Sequence, residues 1–128
     1  MPRSAIETHL FTPIGPYSHV VVSGNQLYLS GTPGIDPKTG QITDTTAYGQ
    51  ARQALSNLIA MVEAAGGTEQ DLVTLQVHLI DVDDFKEMNR AFEELLSKPH
   101  PARTVFGITA LPKACLLYTS DAADDLLC

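Results

Sequence analysis

The chain has 128 residues, 44% of them hydrophobic and 18% charged, and a formal net charge of -7. That is enough chain for one domain with a buried core and the make-up of a soluble globular protein. It disfavours nucleic acid as a partner, since phosphates call for clustered Lys and Arg, and no apolar run approaches the roughly 20 residues that cross a bilayer.

Both cysteines, Cys115 and Cys128, fall near the C-terminus. No disulfide framework, thiolate nucleophile or cysteine-based metal site is therefore expected in the body of the chain. Met1-Pro2-Arg3-Ser4 leads into no apolar signal core, so a cytoplasmic setting is expected.

Pro13-Ile14-Gly15-Pro16 is a turn-rich lead-in. His19 to Ser23 and Gln26 to Ser30 are two short β-type runs, and Gly24-Asn25 between them is a hairpin signal in the reverse of the commonest order. Gly31-Thr32-Pro33-Gly34 ends the second run. Asp36-Pro37-Lys38-Thr39-Gly40 is a turn, and Gln41 to Thr43 a candidate edge strand. A helix follows, capped by Thr45 or Thr46. Ala51, Ala54, Leu55, Leu58, Ile59, Val62 and Ala65 form its apolar stripe, and Gly66-Gly67 stops it.

From Leu72 to Ile80 the chain alternates, with Val73, Leu75, Val77 and Leu79 on one side and Thr74, Gln76 and His78 on the other. That is a half-buried strand. Asp81 or Asp83 then caps a second helix, whose inner face carries Phe85, Met88, Phe92, Leu95 and Leu96. Pro99-His100-Pro101 breaks it, and Thr104 to Thr109 is another strand. The order β-β-(β)-α-β-α-β-(β) predicts an α+β domain in which two helices cover one face of a mixed sheet. The other face carries enough apolar side chains to need a partner, so a homo-oligomer is expected.

Three segments, in order and at matching intervals, carry a family resemblance. They are Ile14-Gly15-Pro16-Tyr17-Ser18, Leu27-Tyr28-Leu29-Ser30-Gly31, and Pro101-Ala102-Arg103-Thr104-Val105 leading to Leu111-Pro112-Lys113. The turn at Asp36 to Gly40 and the Gln53 to Leu58 helix fit as well. From about Thr12 to Lys113 the chain resembles the RidA (YjgF) family of reactive-intermediate deaminases. The resemblance implies a chorismate-mutase-like α+β fold, assembled as a homotrimer with sites in clefts between subunits. It implies hydrolysis of 2-imino acids, such as 2-iminobutanoate and 2-iminopropanoate, to 2-oxo acids and ammonia, without a cofactor.

Carried over residue by residue, Arg103 matches the arginine that holds the substrate carboxylate in a bidentate pair. Tyr17 matches the site tyrosine contributed across the subunit interface. Ser30 and Gly31 match the loop lining the pocket, and Asn89 an asparagine close to the site. Val105 stands where many members have a cysteine. Read as residues alone, each has a plainer alternative: a surface ion pair for Arg103, a packing tyrosine for Tyr17, ordinary turn chemistry for Ser30 and Gly31. His9, His19, His78 and His100 show no metal-ligand spacing. Asp81, Asp83 and Asp84 read as helix-start carboxylates favoured by the dipole.

The last strand departs from the family pattern. After Leu-Pro-Lys the family reads an apolar pair and then Glu-Ile-Glu, and its first glutamate orients the attacking water. Counting from Lys113 puts Tyr118 at that position, with Asp121 off register. Translating TGT CTC TTA TAC ACA TCT GAC GCT GCC GAC gives Cys115 to Asp124, and that DNA resembles a transposase adapter of sequencing libraries read in one frame. The expectation is thus a RidA-like domain over 1–114 and a non-native tail over 115–128 in place of the last strand. Leu116, Leu117 and Tyr118 are apolar enough to pair as a makeshift strand. The leading functional expectation is an imine deaminase impaired by the missing glutamate. The alternatives are a non-catalytic small-carboxylate-binding trimer of the same fold and, less favoured by the acidic balance, an endoribonuclease-type translation inhibitor.

Overall fold

A computed structural model of the chain describes residues 2–111 and the backbone of 117–121. The segment after Leu111, which includes Pro112, Lys113 and Leu116, and the tail beyond Asp121 lie outside the described residues. Six strands and two helices are seen, in an α+β arrangement.

Strand β1 (Ser4–Ile6) pairs antiparallel with β2 (Val20–Ser23), which pairs antiparallel with β3 (Gln26–Leu29). Ser23 stands opposite Gln26, and Gly24 has a φ of 63°, so Gly24-Asn25 forms the tight turn that was expected. β1 was not anticipated. Ser4-Ala5-Ile6 is too short to show a period, and only pairing to β2 makes it a strand. The second sheet has the order β5-β4-β6, with β4 (Thr74–Leu79) parallel to β5 (Ala102–Gly107) and antiparallel to β6 (Leu117–Asp121). The makeshift strand expected around Leu117 and Tyr118 is therefore paired.

Helix α1 (Ala47–Ala64) is capped by Thr46, whose hydroxyl accepts from Gly49 N at 3.0 Å. Asp44 supports the cap, its carboxylate accepting from Thr46 N at 2.7 Å and from the Thr46 hydroxyl at 2.6 Å. These bonds hold the Asp44 carboxyl below its usual range. A Cβ on Gly49 would come within 1.9 Å of that carboxylate, so a larger residue there has to displace Asp44 from its bonds to the cap. Ala51, Ala54, Leu55, Leu58, Met61 and Val62 form the buried stripe of α1. Helix α2 (Phe85–Leu95) buries Met88, Ala91 and Phe92. Both stripes meet Leu75, Val77 and Leu79 of β4 and Val20, Leu27 and Leu29 of the first sheet in one core.

Three local expectations are corrected. Gln41 to Thr43 is no strand. A single bridge joins Asp36 to Gln41 across the turn, and Asp36 N donates to Gln41 O at 2.8 Å. Val73 is 47% exposed, because β4 starts one residue later, after a 3-10 turn at Glu69–Asp71 capped by Thr68. Asp81 caps a separate 3-10 turn at Val82–Asp84, not α2 itself, and α2 begins at Phe85 without a side-chain cap bond. Burial, helped by Asp81, Asp83 and Glu87, raises the Asp84 carboxyl above its usual range.

The buried Asn57 ties the loop after β3 to α1. Its Nδ2 donates to Ile35 O at 2.8 Å, and its Oδ1 accepts from Gln53 Nε2 at 2.9 Å. Asn57→Ala leaves the Ile35 carbonyl without that donor. The expected loss is about 1–3 kcal/mol of unfolding free energy, read from the urea midpoint at unchanged slope.

Each of the two sheets carries an exposed aromatic side chain. Tyr28 is 38% exposed and Phe106 43%, and Phe106 stacks on His78 with ring centroids 5.3 Å apart.

Candidate functional site

Arg103 is set by the start of β5. Pro99-His100-Pro101 ends the α2 connection, and Ala102 N donates to Val73 O at 2.9 Å, seating β5 against β4. The parallel register then puts Arg103 beside Leu75, on the helix-covered side of the sheet. Its Nη1 donates to Asn89 Oδ1 at 2.6 Å, and its guanidinium lies 5.3 Å from the Phe85 ring and 6.0 Å from the Phe92 ring. Phe85, Asn89 and Phe92 lie one and two turns apart on α2, so one helix face supplies both the aromatic ground and the polar partner. Partial burial lowers the Arg103 pKa from the ordinary arginine value. An arginine starts so high that it stays charged.

This guanidinium forms one wall of a cleft of about 520 Å³. Leu75, Phe92 and Leu96 give the cleft an apolar floor, while Asn89, Glu93 and His100 add polar groups. Among the described residues Arg103 has no carboxylate partner; the ion pairs seen are Arg52 with Glu94 and Arg90 with Glu87. The plainer alternative, a surface ion pair at a strand start, is therefore not what the described residues contain. A planar fork with one neutral partner, beside apolar side chains, suits a small molecule bearing a carboxylate.

Tyr17 and Ser30 belong to a second neighbourhood. The Ser30 hydroxyl donates to Ser18 O at 2.5 Å, and Ser30 N donates to His19 O at 2.9 Å. Gly31 follows and is exposed. Tyr17, 41% exposed, meets His19 edge-on at 5.9 Å, and His19 Nε2 donates to Phe11 O at 2.7 Å. Tyr17, Ser18 and His19 line a separate hollow of about 680 Å³. Of the site residues named from sequence, a single chain brings Arg103 to Asn89 and Tyr17 to the Ser30 region. Arg103 and Asn89 line one cleft and Tyr17 another hollow.

The backbone of β6 sharpens this. Tyr118 stands opposite His78, in the row that also holds Phe106, whereas Arg103 stands in the row of Leu75 and Asp121. Successive strand positions alternate faces. Position 118 therefore belongs to the opposite sheet face from Arg103 within one chain. The sequence reading missed Phe85 and Glu93 as neighbours of Arg103. Their spacing from Asn89, four residues before and four after, was the available signal.

No group of three His, Cys, Asp or Glu side chains placed to hold a metal ion occurs among the described residues. No described helix is long and apolar enough to cross a membrane.

The family model described as Endoribonuclease L-PSP matches residues 7–117. The chain belongs to this family, the RidA (YjgF) family. A RidA-family relative, the 2-iminobutanoate/2-iminopropanoate deaminase of Dermatophagoides farinae, is 37% identical over 113 residues, 88% of each chain. The crystal structure of RidA from an Antarctic Psychrobacter matches with a TM-score of 0.88 and 37% identity, covering 92% of this chain and 96% of that one. E. coli TdcF with bound serine matches with a TM-score of 0.84 and 31% identity, covering 92% and 95%. The RidA-family membership and the α+β fold expected from the three motifs are thus found.

Proposed function

We propose that this chain hydrolyses 2-imino acids of the 2-iminobutanoate and 2-iminopropanoate class to 2-oxo acids and ammonia, in the cytoplasm and without a cofactor. The observation that carries the reading is Arg103, a charged fork that lines a cleft and has no ion-pair partner among the described residues. Two relatives support it. One is named a 2-iminobutanoate/2-iminopropanoate deaminase, and another was crystallised with serine, which carries a carboxylate and a nitrogen on the same carbon.

The chemistry asks for little machinery. Arg103 holds the substrate carboxylate and fixes the orientation of C2, Tyr17, Ser30 and Gly31 line the pocket, and Asn89 steadies the guanidinium. Water adds to C2 of the protonated imine and loses a proton, giving a carbinolamine. The C–N bond then breaks with transfer of a proton to nitrogen, and ammonia leaves as the C2 carbonyl forms. Tyr118 stands where the resemblance puts a water-orienting glutamate, in the tail that we read as non-native. Loss of such a base costs ~10²–10⁴-fold, so turnover is slow.

The reading includes a homotrimer with shared clefts. Its support is the exposed Tyr28 on the first sheet and Phe106 on the second, and the separation of Arg103 from Tyr17 and from position 118 within one chain. The test is the loss of 2-iminopropanoate generated in situ, with the mass in solution at micromolar concentration. Expected are a rate above buffer and a mass of three chains. A rate equal to buffer, with 2-oxo acid still bound, supports the second reading, a non-catalytic carboxylate-binding trimer, which Tyr118 favours. The net charge of -7 speaks against RNA as substrate.

A further inference from the structure

We propose that Glu93 is the general base that sustains the residual turnover at the Arg103 cleft in this chain, where position 118 supplies none; the inference rests on the imine-hydrolysis reading. Helix α2 turns Asn89, Phe92, Glu93 and Leu96 to the cleft, at the spacing of a single helical stripe. Asn89 holds the guanidinium at 2.6 Å, and Glu93 follows it by one turn, about 5.4 Å along the axis. Glu93 and Arg103 line the same cleft, so a small molecule held by the guanidinium lies between them.

Its neighbours are occupied elsewhere. Glu87 pairs with Arg90 at 2.6 Å, Glu94 pairs with Arg52 at 2.9 Å and accepts from Tyr48, and Glu69 accepts from the Ser97 hydroxyl. Among the described residues the Glu93 carboxylate has no hydrogen-bond or ion-pair partner, although it shares a cleft with a cation. It is also the cleft's one acidic lining residue among those described. A substrate carboxylate on Arg103 sets C2 one bond further into the cleft that Glu93 also lines, and a water between C2 and Glu93 would complete the path.

The step balances. As the water oxygen bonds to C2 of the protonated imine, Glu93 takes a water proton and the C=N electron pair moves to nitrogen, giving the neutral-amine carbinolamine. Glu93-H then returns the proton to that nitrogen, the C–N bond breaks, and ammonia leaves while the hydroxyl at C2 becomes the carbonyl and releases its proton. Position 118, on the opposite sheet face, takes no part in this path.

The experiment measures steady-state loss of 2-iminopropanoate and pyruvate binding by calorimetry. It compares the chain as given with Glu93→Gln, Glu93→Asp, Glu94→Gln and Arg103→Ala. The expected result for Glu93→Gln is a kcat at least about tenfold lower with KM and pyruvate affinity within about twofold, since a base acts on the transition state and not on ground-state binding. Glu93→Asp keeps part of the rate, and Glu94→Gln keeps all of it. An unchanged kcat in Glu93→Gln, with Arg103→Ala inactive, overturns the role of Glu93 and leaves the hydrolysis reading standing. A raised KM at full kcat overturns it too, because Glu93 then only binds. If the chain as given turns over nothing yet binds pyruvate through Arg103, Glu93 and hydrolysis both fall and the binding reading remains.

Discussion

Arg103→Ala is expected to lower kcat/KM for 2-iminopropanoate by about 10²–10³-fold, because truncating one side of a hydrogen-bonded charge pair costs on the order of 3–4 kcal/mol. The fold should barely respond. The Arg103 side chain is exposed over much of its length, its hydrogen bond goes to the exposed Asn89–Arg103 pair, and its contacts with the Phe85 and Phe92 rings are at 5.3 and 6.0 Å. Cation–π contacts at such sites contribute about 0.5–1 kcal/mol. Arg103→Lys keeps the charge and loses the planar fork, so its rate should fall between the two. The measurement is the rate of imine loss alongside the urea midpoint of each variant. Equal kcat/KM in Arg103→Ala and the parent would show that the carboxylate is held elsewhere.

Tyr118→Glu is expected to act in the other direction, raising turnover by about 10²-fold, within the range that one general base supplies. The backbone register makes this a demanding prediction. Position 118 lies in the row of His78 and Phe106, on the sheet face away from Arg103. A glutamate there can reach an Arg103-bound substrate only where a second subunit brings that face to the cleft. The gain should therefore appear only in the assembled species and vanish on dilution to monomer. Mixing Arg103→Ala chains with Tyr118→Glu chains should give active hybrid assemblies, since a site that takes one residue from each subunit is complete at some interfaces. A gain that persists in isolated monomers would refute the shared cleft, and no gain at all would show that the identity of residue 118 does not limit the rate.

Much of this was legible in the sequence for physical reasons that are local. The stripe from Ala51 to Val62 and the alternation of Leu75, Val77 and Leu79 are periodic signals long enough to beat noise, and both became buried faces. Thr46 and Gly24 do jobs for which few residue types are suited, an N-cap and a positive φ. The errors also have local causes. Ser4 to Ile6 and Gln41 to Thr43 are equally short β-type runs. One found a pairing strand and the other closed a turn, a difference settled by β2 and not by either segment. Val73 continues the alternation of β4 yet is exposed, because the Thr68-capped turn delays the strand.

The site divides along the same line. The sequence alone determined the chemistry available: an arginine at a strand start after Pro-His-Pro, a tyrosine in a Gly-Pro turn, a tyrosine where the resemblance implies a glutamate, and the motif order that resembles the RidA family. Only the tertiary structure decided which of these groups meet. Packing of α2 on β4 puts Asn89, Phe85 and Glu93 around Arg103. The sheet register puts position 118 on the opposite face, and Tyr17, with Ser18 and His19, lines a separate hollow. Side-chain type is written residue by residue, but convergence depends on register and helix placement. Those are set by burying the two helix stripes against both sheets at once, a property of no single segment.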